Sequence, residues 1–293
     1  MKKILLGKNK KNNKEKLIVN CLKYIKAFVL FGLLFVIIMP FVKILIDSIK
    51  GSSDTEVNLV YWIPANPTFS RIRSAFINAI FNQTYLNTFV LCLITSNIQV
   101  IMCGLFGYTF ALLKFKGSNI LFAITMFVLF VPRESMDVAL TLFMTEYPFL
   151  GIYLMKSKSS IFLMTLFGMG YFSPIFIFLF RQYFKSVSLE IKEQAYIDGA
   201  SVIKTFTRIM LPNAKGAIIT TFIMTFVYTY NDSYFPSLFN FSTNNYPVLS
   251  MGIINRRYAN INTTALVIIV PLLIIYVLIQ KFFIDSIEKS ILC

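Results

Sequence analysis

The 293-residue sequence contains no histidine and only 13 acidic residues. The lack of histidine excludes imidazole metal ligands and histidine-based acid–base catalysis. The four cysteines (Cys21, Cys92, Cys103 and Cys293) are scattered and show neither a metal-ligand spacing nor a disulfide framework. No phosphate-binding loop of the G-x-x-x-x-G-K-[ST] kind occurs. Without paired carboxylates or an activated nucleophile, the pattern argues against an enzyme and against a metal centre in this chain.

Apolar residues are abundant instead, at 57% of the chain with a mean hydropathy of +0.70. A soluble domain of this size carries more charge and shorter apolar runs, so we predict a polytopic membrane protein. The net charge is +15, from 28 lysines and arginines. These basic residues cluster beside apolar runs and form no stripe or groove, which favours membrane orientation signals over nucleic-acid binding.

The apolar runs predict an all-α membrane protein with six transmembrane helices after a basic cytoplasmic tail, residues 1–23. The predicted spans are residues 24–46, 86–113, 118–135, 160–180, 216–239 and 263–283. The third span is short, but omitting it would place the basic run 181–215 outside, against the positive-inside rule. With six spans, 19 basic residues lie inside and 8 outside, and both termini are cytoplasmic. Gly168, Gly170 and Pro174 allow close packing or a kink in the fourth span.

A polar segment, residues 193–212 (EQAYIDGASVIKTFTRIMLP), interrupts the apolar pattern before the fifth span. Ser188, Glu190 and Glu193 place a cap and acidic residues where a helix start favours them. Gly199 permits a turn that a side chain would oppose. From the residues alone, a solvated connecting loop and a helix that docks on a partner remain equally open.

Residues 193–200 (EQAYIDGA) and 209–212 (IMLP) resemble the EAA motif of ABC importer permeases, in residue type, spacing and position before the penultimate span. The D-G-A form is similar to that of the carbohydrate-uptake branch. Gln194 departs from the pattern, which has a small residue there. Residues 179–184 (LFRQYF), 230–236 (YNDSYFP) and the last span also resemble that branch, particularly the smaller, maltose-transporter-like permease.

The resemblance implies a type I ABC importer permease fold over residues 24–293, with a cytoplasmic coupling loop at residues 185–212 in a bacterial cell membrane. It also implies partners: a second, homologous permease, two cytoplasmic ATP-binding subunits and an external solute-binding protein. ATP and Mg²⁺ would be used by the ATP-binding subunits, with no cofactor on this chain. The residues it implicates in ATPase coupling are Glu193, Ala195, Asp198, Gly199, Ala200 and Pro212. For Asp198, both a structural cap and a direct contact remain open.

Polar residues inside predicted spans mark a translocation path, a gate or a helix–helix bond. Asn231 and Asp232 lie towards the external end of the fifth span, and Asn97 and Gln99 lie in the second. A structural bond and a sugar contact both remain open for the first pair. In the polar connector 240–262, the Arg256-Arg257 pair is a candidate contact for the external binding protein, with a solvated loop as the alternative.

The function implied is a permease subunit, without catalysis of its own, of a binding-protein-dependent importer of a sugar or oligosaccharide. A non-sugar solute such as a glycerol phosphate conjugate is an alternative within the same architecture. An ion-coupled secondary transporter would instead show several intramembrane acids and no ATPase-docking segment. The sequence has the opposite pattern.

Overall fold

The fold is helical throughout the regions that the structure describes. The computed structural model describes residues 2–51, 62–64, 66–77, 79–113, 115–146, 154–155, 157–187, 194, 197, 199–241, 248–250 and 261–291. Within those ranges the only β pairing is one antiparallel bridge between Lys50 and Pro67. The predicted all-α class is therefore confirmed.

Twelve α-helices are found in these ranges. They are α1 (Lys2–Ile49), α2 (Ser70–Ile77), α3 (Ala79–Leu112), α4 (Ser118–Phe127), α5 (Asp137–Glu146), α6 (Ser159–Leu166), α7 (Ser173–Ser186), α8 (Val202–Thr205), α9 (Leu211–Asn213), α10 (Lys215–Asn231), α11 (Tyr234–Leu238) and α12 (Ile261–Ile291). Two 3₁₀ turns, Val128–Phe130 and Arg133–Met136, connect α4 to α5. A π-helical turn, Phe206–Met210, connects α8 to α9.

The chain divides into two compact units, the first formed by residues 1–74 with 262–267. Polar bonds around the end of α1 organise this unit. The Arg71 guanidinium donates to the carbonyls of Asp47 and Gly51, both at 3.2 Å. The Asp47 carboxylate accepts from Lys50 at 2.8 Å and from Asn262 at 2.9 Å. The bond to the Asp47 carbonyl satisfies one of the carbonyls that the end of α1 leaves without a helical partner.

The second unit, residues 75–261 with 268–293, is built around α3. Helices α7, α10 and α6 all pack against α3. Gly107 allows α7 to cross α3 closely, because a Cβ there would lie 2.5 Å from the Phe180 Cβ and 3.0 Å from the Arg181 nitrogen. Small residues of this kind let membrane helices approach at backbone distance, where dispersion and hydrogen bonds replace the hydrophobic effect.

Two helical stretches, Val19–Ile49 and Gln83–Leu112, are each long and apolar enough to cross a bilayer alone. They contain the predicted first span and almost all of the predicted second span, which continues to residue 113. Two bent pairs also pass the length test among the described residues. Ser118–Phe130 meets Arg133–Thr145 at 110°, and Val202–Asn213 meets Lys215–Asn231 at 82°.

The helix is interrupted within the predicted third, fourth and fifth spans, while the number and the ends of the spans stay predictions. Residues 118–135 break at Pro132, which lacks an amide hydrogen and holds Val131 extended at ψ 121°. Residues 160–180 break between α6 and α7, where Gly168 and Phe172 have φ of 76° and 49°. This break lies where the sequence predicted a kink, and Pro174 stands in the first turn of α7. Residues 216–239 break at Asp232, which is extended.

Candidate functional site

The structure describes mainly the second half of the predicted coupling segment, residues 185–212. Gly199, Ala200 and Pro212 lie in the structure, whereas Glu193, Ala195 and Asp198 lie outside the described residues. Gly199 has φ of 73°, and no atom lies within 4 Å of the position that a Cβ would take. The backbone conformation, and not a lack of space, is therefore what favours glycine at this position.

A new helix begins directly after the glycine turn. The Ser201 hydroxyl accepts a hydrogen bond from the Lys204 amide at 3.3 Å and so caps α8. Pro212 lies exposed in α9, three residues before the first residue of α10. The 82° bend lies at Ala214, which is fully buried. Pro212 directly follows the π-helical turn within the helical run Val202–Asn213, where its missing amide hydrogen and its ring disfavour an ordinary α-helical bond to the preceding turn.

The π-helical turn fastens the coupling segment to the helices of the second unit. Phe206 is 4% exposed and Met210 is 1% exposed, so both side chains point into the core. The Phe206 ring lies 5.3 Å from the Tyr108 ring and 6.4 Å from the Phe184 ring, measured between centroids. Phe184 stacks on Phe180 at 5.8 Å. We call Tyr108, Phe180, Phe184, Phe206 and Met210 the aromatic root.

Two polar contacts strengthen the same region. The Tyr183 hydroxyl donates to the Asn213 carbonyl at 2.5 Å, which ties α7 to α9. The Arg181 guanidinium donates to the Phe110 carbonyl at 3.3 Å and lies 3.9 Å from the centre of the Phe122 ring. This cation–π contact joins α7 to α4. A displacement of the coupling segment would thus reach α3, α4 and α7 together.

A second group of side chains lies where α10 ends. The Asp232 carboxylate accepts from the Tyr171 hydroxyl at 2.8 Å and from the backbone amides of Tyr234 and Phe235 at 3.3 and 3.1 Å. It therefore caps the first turn of α11 while it holds the break between α6 and α7. The Tyr234 hydroxyl bonds to Asp137. We call Asp137, Tyr171, Asp232 and Tyr234 the Asp232 cluster.

Gln99 reaches the same break from α3. Its buried side-chain amide donates to the Tyr171 carbonyl at 3.1 Å and to the Ser173 hydroxyl at 2.9 Å. Asn97 and Asn231 differ, because both are exposed and donate to a carbonyl four residues earlier on their own helices. The structure thus brings Asp232 and Gln99 together at Tyr171 and leaves Asn97 and Asn231 outside that group.

Tyr171 is the residue that sequence reasoning missed. It is the fourth residue of the run Gly168–Tyr171 (GMGY), where two glycines precede an aromatic residue in the middle of a predicted span. Two glycines beside an aromatic residue could have indicated a helix break whose aromatic side chain bonds to another helix. Arg256 and Arg257, the candidate contacts for a binding protein, lie outside the described residues.

A cavity of about 430 Å³ lies beside the Asp232 cluster. Its walls are mainly apolar, with Phe106, Phe110, Ile124 and Phe172 among them. Arg133 lines it too, but its guanidinium lies over the Phe172 ring at 4.8 Å from the centroid. A sugar needs many hydrogen-bond partners, and this wall offers few, so the cavity does not have the chemistry of a sugar site.

Residues 101–289 match the family of binding-protein-dependent transport system inner membrane components. The chain belongs to this family. This permease is accordingly a membrane-embedded transport component and not an enzyme. The family match includes the second half of the coupling segment, the aromatic root and the Asp232 cluster.

Relatives of the permease support the same assignment. It is 27% identical over 268 residues to the arabinooligosaccharides transport system permease protein AraQ of Bacillus subtilis, covering 88% of this chain and 91% of that protein. It is 25% identical over 286 residues to the maltodextrin transport system permease protein MalD of Streptococcus pneumoniae, covering 95% and 98%. The melibiose/raffinose/stachyose import permease protein MelC of Bacillus subtilis is 23% identical over 258 residues, covering 86% and 90%.

The fold is also that of a solved transporter. A chain in the crystal structure of a bacterial ABC transporter involved in the import of the acidic polysaccharide alginate superposes with a TM-score of 0.75. The match covers 90% of the permease and 97% of that chain at 19% identity. The expected ABC importer permease fold is thereby confirmed, while the number of six membrane-spanning helices stays a prediction.

Proposed function

We propose that the permease imports a sugar or oligosaccharide as one of two homologous permeases in an ATP-driven importer of a bacterial cell membrane. The named relatives are permeases for arabinooligosaccharides, maltodextrin and melibiose, raffinose or stachyose, which supports a carbohydrate substrate. The excess of basic residues on one side supports cytoplasmic positions for both termini. The permease domain takes in residues 24–293, after the basic tail 1–23.

In this proposal, residues 185–212 seat on a cytoplasmic ATP-binding subunit, and ATP and Mg²⁺ bind to a pair of such subunits. Glu193 supplies a polar contact, Ala195 and Ala200 supply close-packing surfaces, and Asp198 caps the segment. Gly199 forms the turn, and Pro212 lies before the bend into α10. The observation that carries the proposal is the aromatic root, because a segment seated in a core can pass a rigid-body rotation to the spans.

The transport cycle then follows alternating access. A loaded solute-binding protein docks outside, with Arg256 and Arg257 as candidate contacts. ATP closes the ATP-binding pair, the coupling segment moves, and the path opens outwards to receive the sugar. Hydrolysis returns the permease to its inward state. Asp232 and Gln99 act at the gate by holding the break between α6 and α7, and the exposed Asn97 and Asn231 face the path.

The coupling role is tested by a matched pair of glycine substitutions. Gly199 and Gly117 have φ of 73° and 87°, and at neither does an atom lie within 4 Å of the position that an added Cβ would take. Gly199→Ala and Gly117→Ala therefore impose similar backbone strain, of about 1–2 kcal/mol, in two different loops. We expect Gly199→Ala, and likewise Glu193→Ala, to lower the uptake per ATP hydrolysed in proteoliposomes that contain the whole complex.

Gly117→Ala should leave that ratio unchanged. If Gly199→Ala and Glu193→Ala both kept the wild-type uptake and the wild-type stimulation of ATP hydrolysis, residues 185–212 would not be the coupling segment. The substrate class is measured separately, by loading the partner binding protein with maltodextrin, arabinooligosaccharide or a glycerol phosphate conjugate. Stimulated ATP hydrolysis with the last ligand alone would overturn the carbohydrate assignment.

A further inference from the structure

Helix α10 carries three buried threonines on one face. Thr221, Thr225 and Thr229 follow one another at intervals of four residues, and their exposed fractions are 0%, 0% and 4%. Among the described residues, none of the three hydroxyl oxygens has a hydrogen-bond partner. A single orphaned hydroxyl is tolerable, but a row of three on one helix face calls for a physical explanation.

Other helical threonines in the same chain behave differently. Thr88, Thr109, Thr125 and Thr165 each donate to the carbonyl four residues earlier, at 2.8 to 2.9 Å. That bond is the usual way in which a helix satisfies a threonine hydroxyl without any neighbour. The three threonines of α10 do not make it, so their hydroxyls remain available to something outside their own backbone.

Helix α3 contributes to the same interface. The Phe89 ring lies 5.8 Å from the Phe226 ring, while a Cβ at Gly104 would lie 3.3 Å from the side chain of Leu211, just before α10. The two helices therefore run antiparallel. Ser96 is seven residues, or about two turns, from Phe89 and so falls on the same face of α3. Its hydroxyl is fully buried and likewise has no partner among the described residues.

We propose that this hydroxyl seam, formed by Ser96, Thr221, Thr225 and Thr229, binds a row of ordered water molecules between α3 and α10. Successive threonines are one turn apart, which is about 6 Å along the axis. At the tetrahedral angle of a water molecule, two O–H···O bonds of about 2.8 Å span about 4.6 Å and three span up to about 7 Å, so a pair of waters can bridge successive hydroxyls. The site is polar enough to retain water, since each molecule finds two or more partners.

Water in the seam lets α3 and α10 slide along one another more easily than a contact made of interdigitated rings does. Bridging waters exchange partners after a small shift of one helix, so the bonds re-form in a new register. A dry contact between rings such as Phe89 and Phe226 has to unpack before it can slide. The seam thus allows α10 to shift along α3 when the coupling segment moves.

Radiolytic labelling of the assembled complex in H₂¹⁸O tests for bound water directly. Hydroxyl radicals formed from an internal water modify the side chains beside it. Phe226 is 1% exposed and follows Thr225, whereas Phe180 is 0% exposed and lies in the aromatic root. We expect the label to enter Phe226 several times faster than Phe180. Equal rates at the two rings would overturn the proposal.

Substitutions identify the side chains that hold the water. Thr225→Val keeps the shape and removes the hydroxyl, so both the label at Phe226 and the thermal midpoint of the complex should fall. Thr165→Val is the control, because the Thr165 hydroxyl donates to the Ile161 carbonyl and its loss should not change the label at Phe226. Thr225→Ser, which retains the hydroxyl, should keep the label even where Thr225→Val assembles poorly. A higher thermal midpoint for Thr225→Val with unchanged labelling would show that the seam is dry.

Discussion

Replacement of Phe206 by alanine gives the sharpest test of how the coupling segment reaches the spans. The Phe206 ring lies 5.3 Å from the Tyr108 ring and 6.4 Å from the Phe184 ring, within the range of favourable aromatic contacts. A Cβ added at Gly104 on α3 would lie 3.6 Å from Cζ of the Phe206 ring. Phe206→Ala therefore removes a side chain of the π-helical turn that contacts aromatic rings of both α3 and α7.

The size of the effect follows from packing. Phenylalanine-to-alanine changes in soluble cores cost about 3–5 kcal/mol, part of which is transfer from water. For helices in a bilayer that transfer part shrinks, because lipid is as apolar as the protein interior. We expect about 2–3 kcal/mol to remain, which shifts the balance between a seated and an unseated coupling segment by about a hundredfold.

The assay is the ratio of solute uptake to ATP hydrolysis in proteoliposomes with a loaded binding protein. We expect Phe206→Ala to lower this ratio, and Phe206→Leu, which keeps most of the volume, to restore much of it. Phe239→Ala is the matched control: Phe239 is as buried as Phe206 but packs in a separate core cluster with Phe235. If both alanine variants lowered the ratio equally, the aromatic root would have no special part in coupling.

Two further substitutions test the packing of the second unit, with thermal unfolding of the purified complex as the readout. Gly107→Ala places a Cβ 2.5 Å from that of Phe180, so we expect a loss of about 1–3 kcal/mol, while Gly32→Ala, with nothing within 4 Å, should change the midpoint little. Tyr171→Phe removes the 2.8 Å bond to Asp232 and should cost about 1–3 kcal/mol. An unchanged midpoint for either Gly107→Ala or Tyr171→Phe would contradict the geometry at that site.

The features that depend on local chemistry were predictable from the sequence. The EAA-like residues identified the family before any geometry was known, and Gly199 was expected in a turn because only glycine adopts positive φ freely. The run containing Gly168, Gly170 and Pro174 predicted a kink in the fourth span, where the structure has a break. Each of these predictions rests on backbone preferences that a residue carries with it into any fold.

The features that depend on partners distant in sequence were not predictable. Gln99 and Asp232 are 133 positions apart, yet both bond to Tyr171. Their shared role depends on how α3 and α10 pack against the break between α6 and α7. The π-helical turn is a similar case, because no residue in Phe206–Met210 favours an extra residue per turn by itself. Phe206 and Met210 are both buried in the core cluster that contains Tyr108 of α3 and Phe184 of α7, so this turn packs against residues of other helices.

Helices α7 and α10 each connect the aromatic root to the Asp232 cluster, so in the proposed cycle they are the elements that would carry motion between the two sites. Helix α7 has 14 residues and is about 21 Å long, with Tyr171 just before its start and Phe184 near its end. Helix α10 begins at the bend beside Met210 and ends at Asp232. Since α7 crosses α3 at backbone distance where Gly107 meets Phe180, a push on Phe184, one turn further along α7, should tilt α7 about that crossing. That tilt would strain the bond between Tyr171 and Asp232, whose position at the far end of both helices agrees with the gate role that we propose for it.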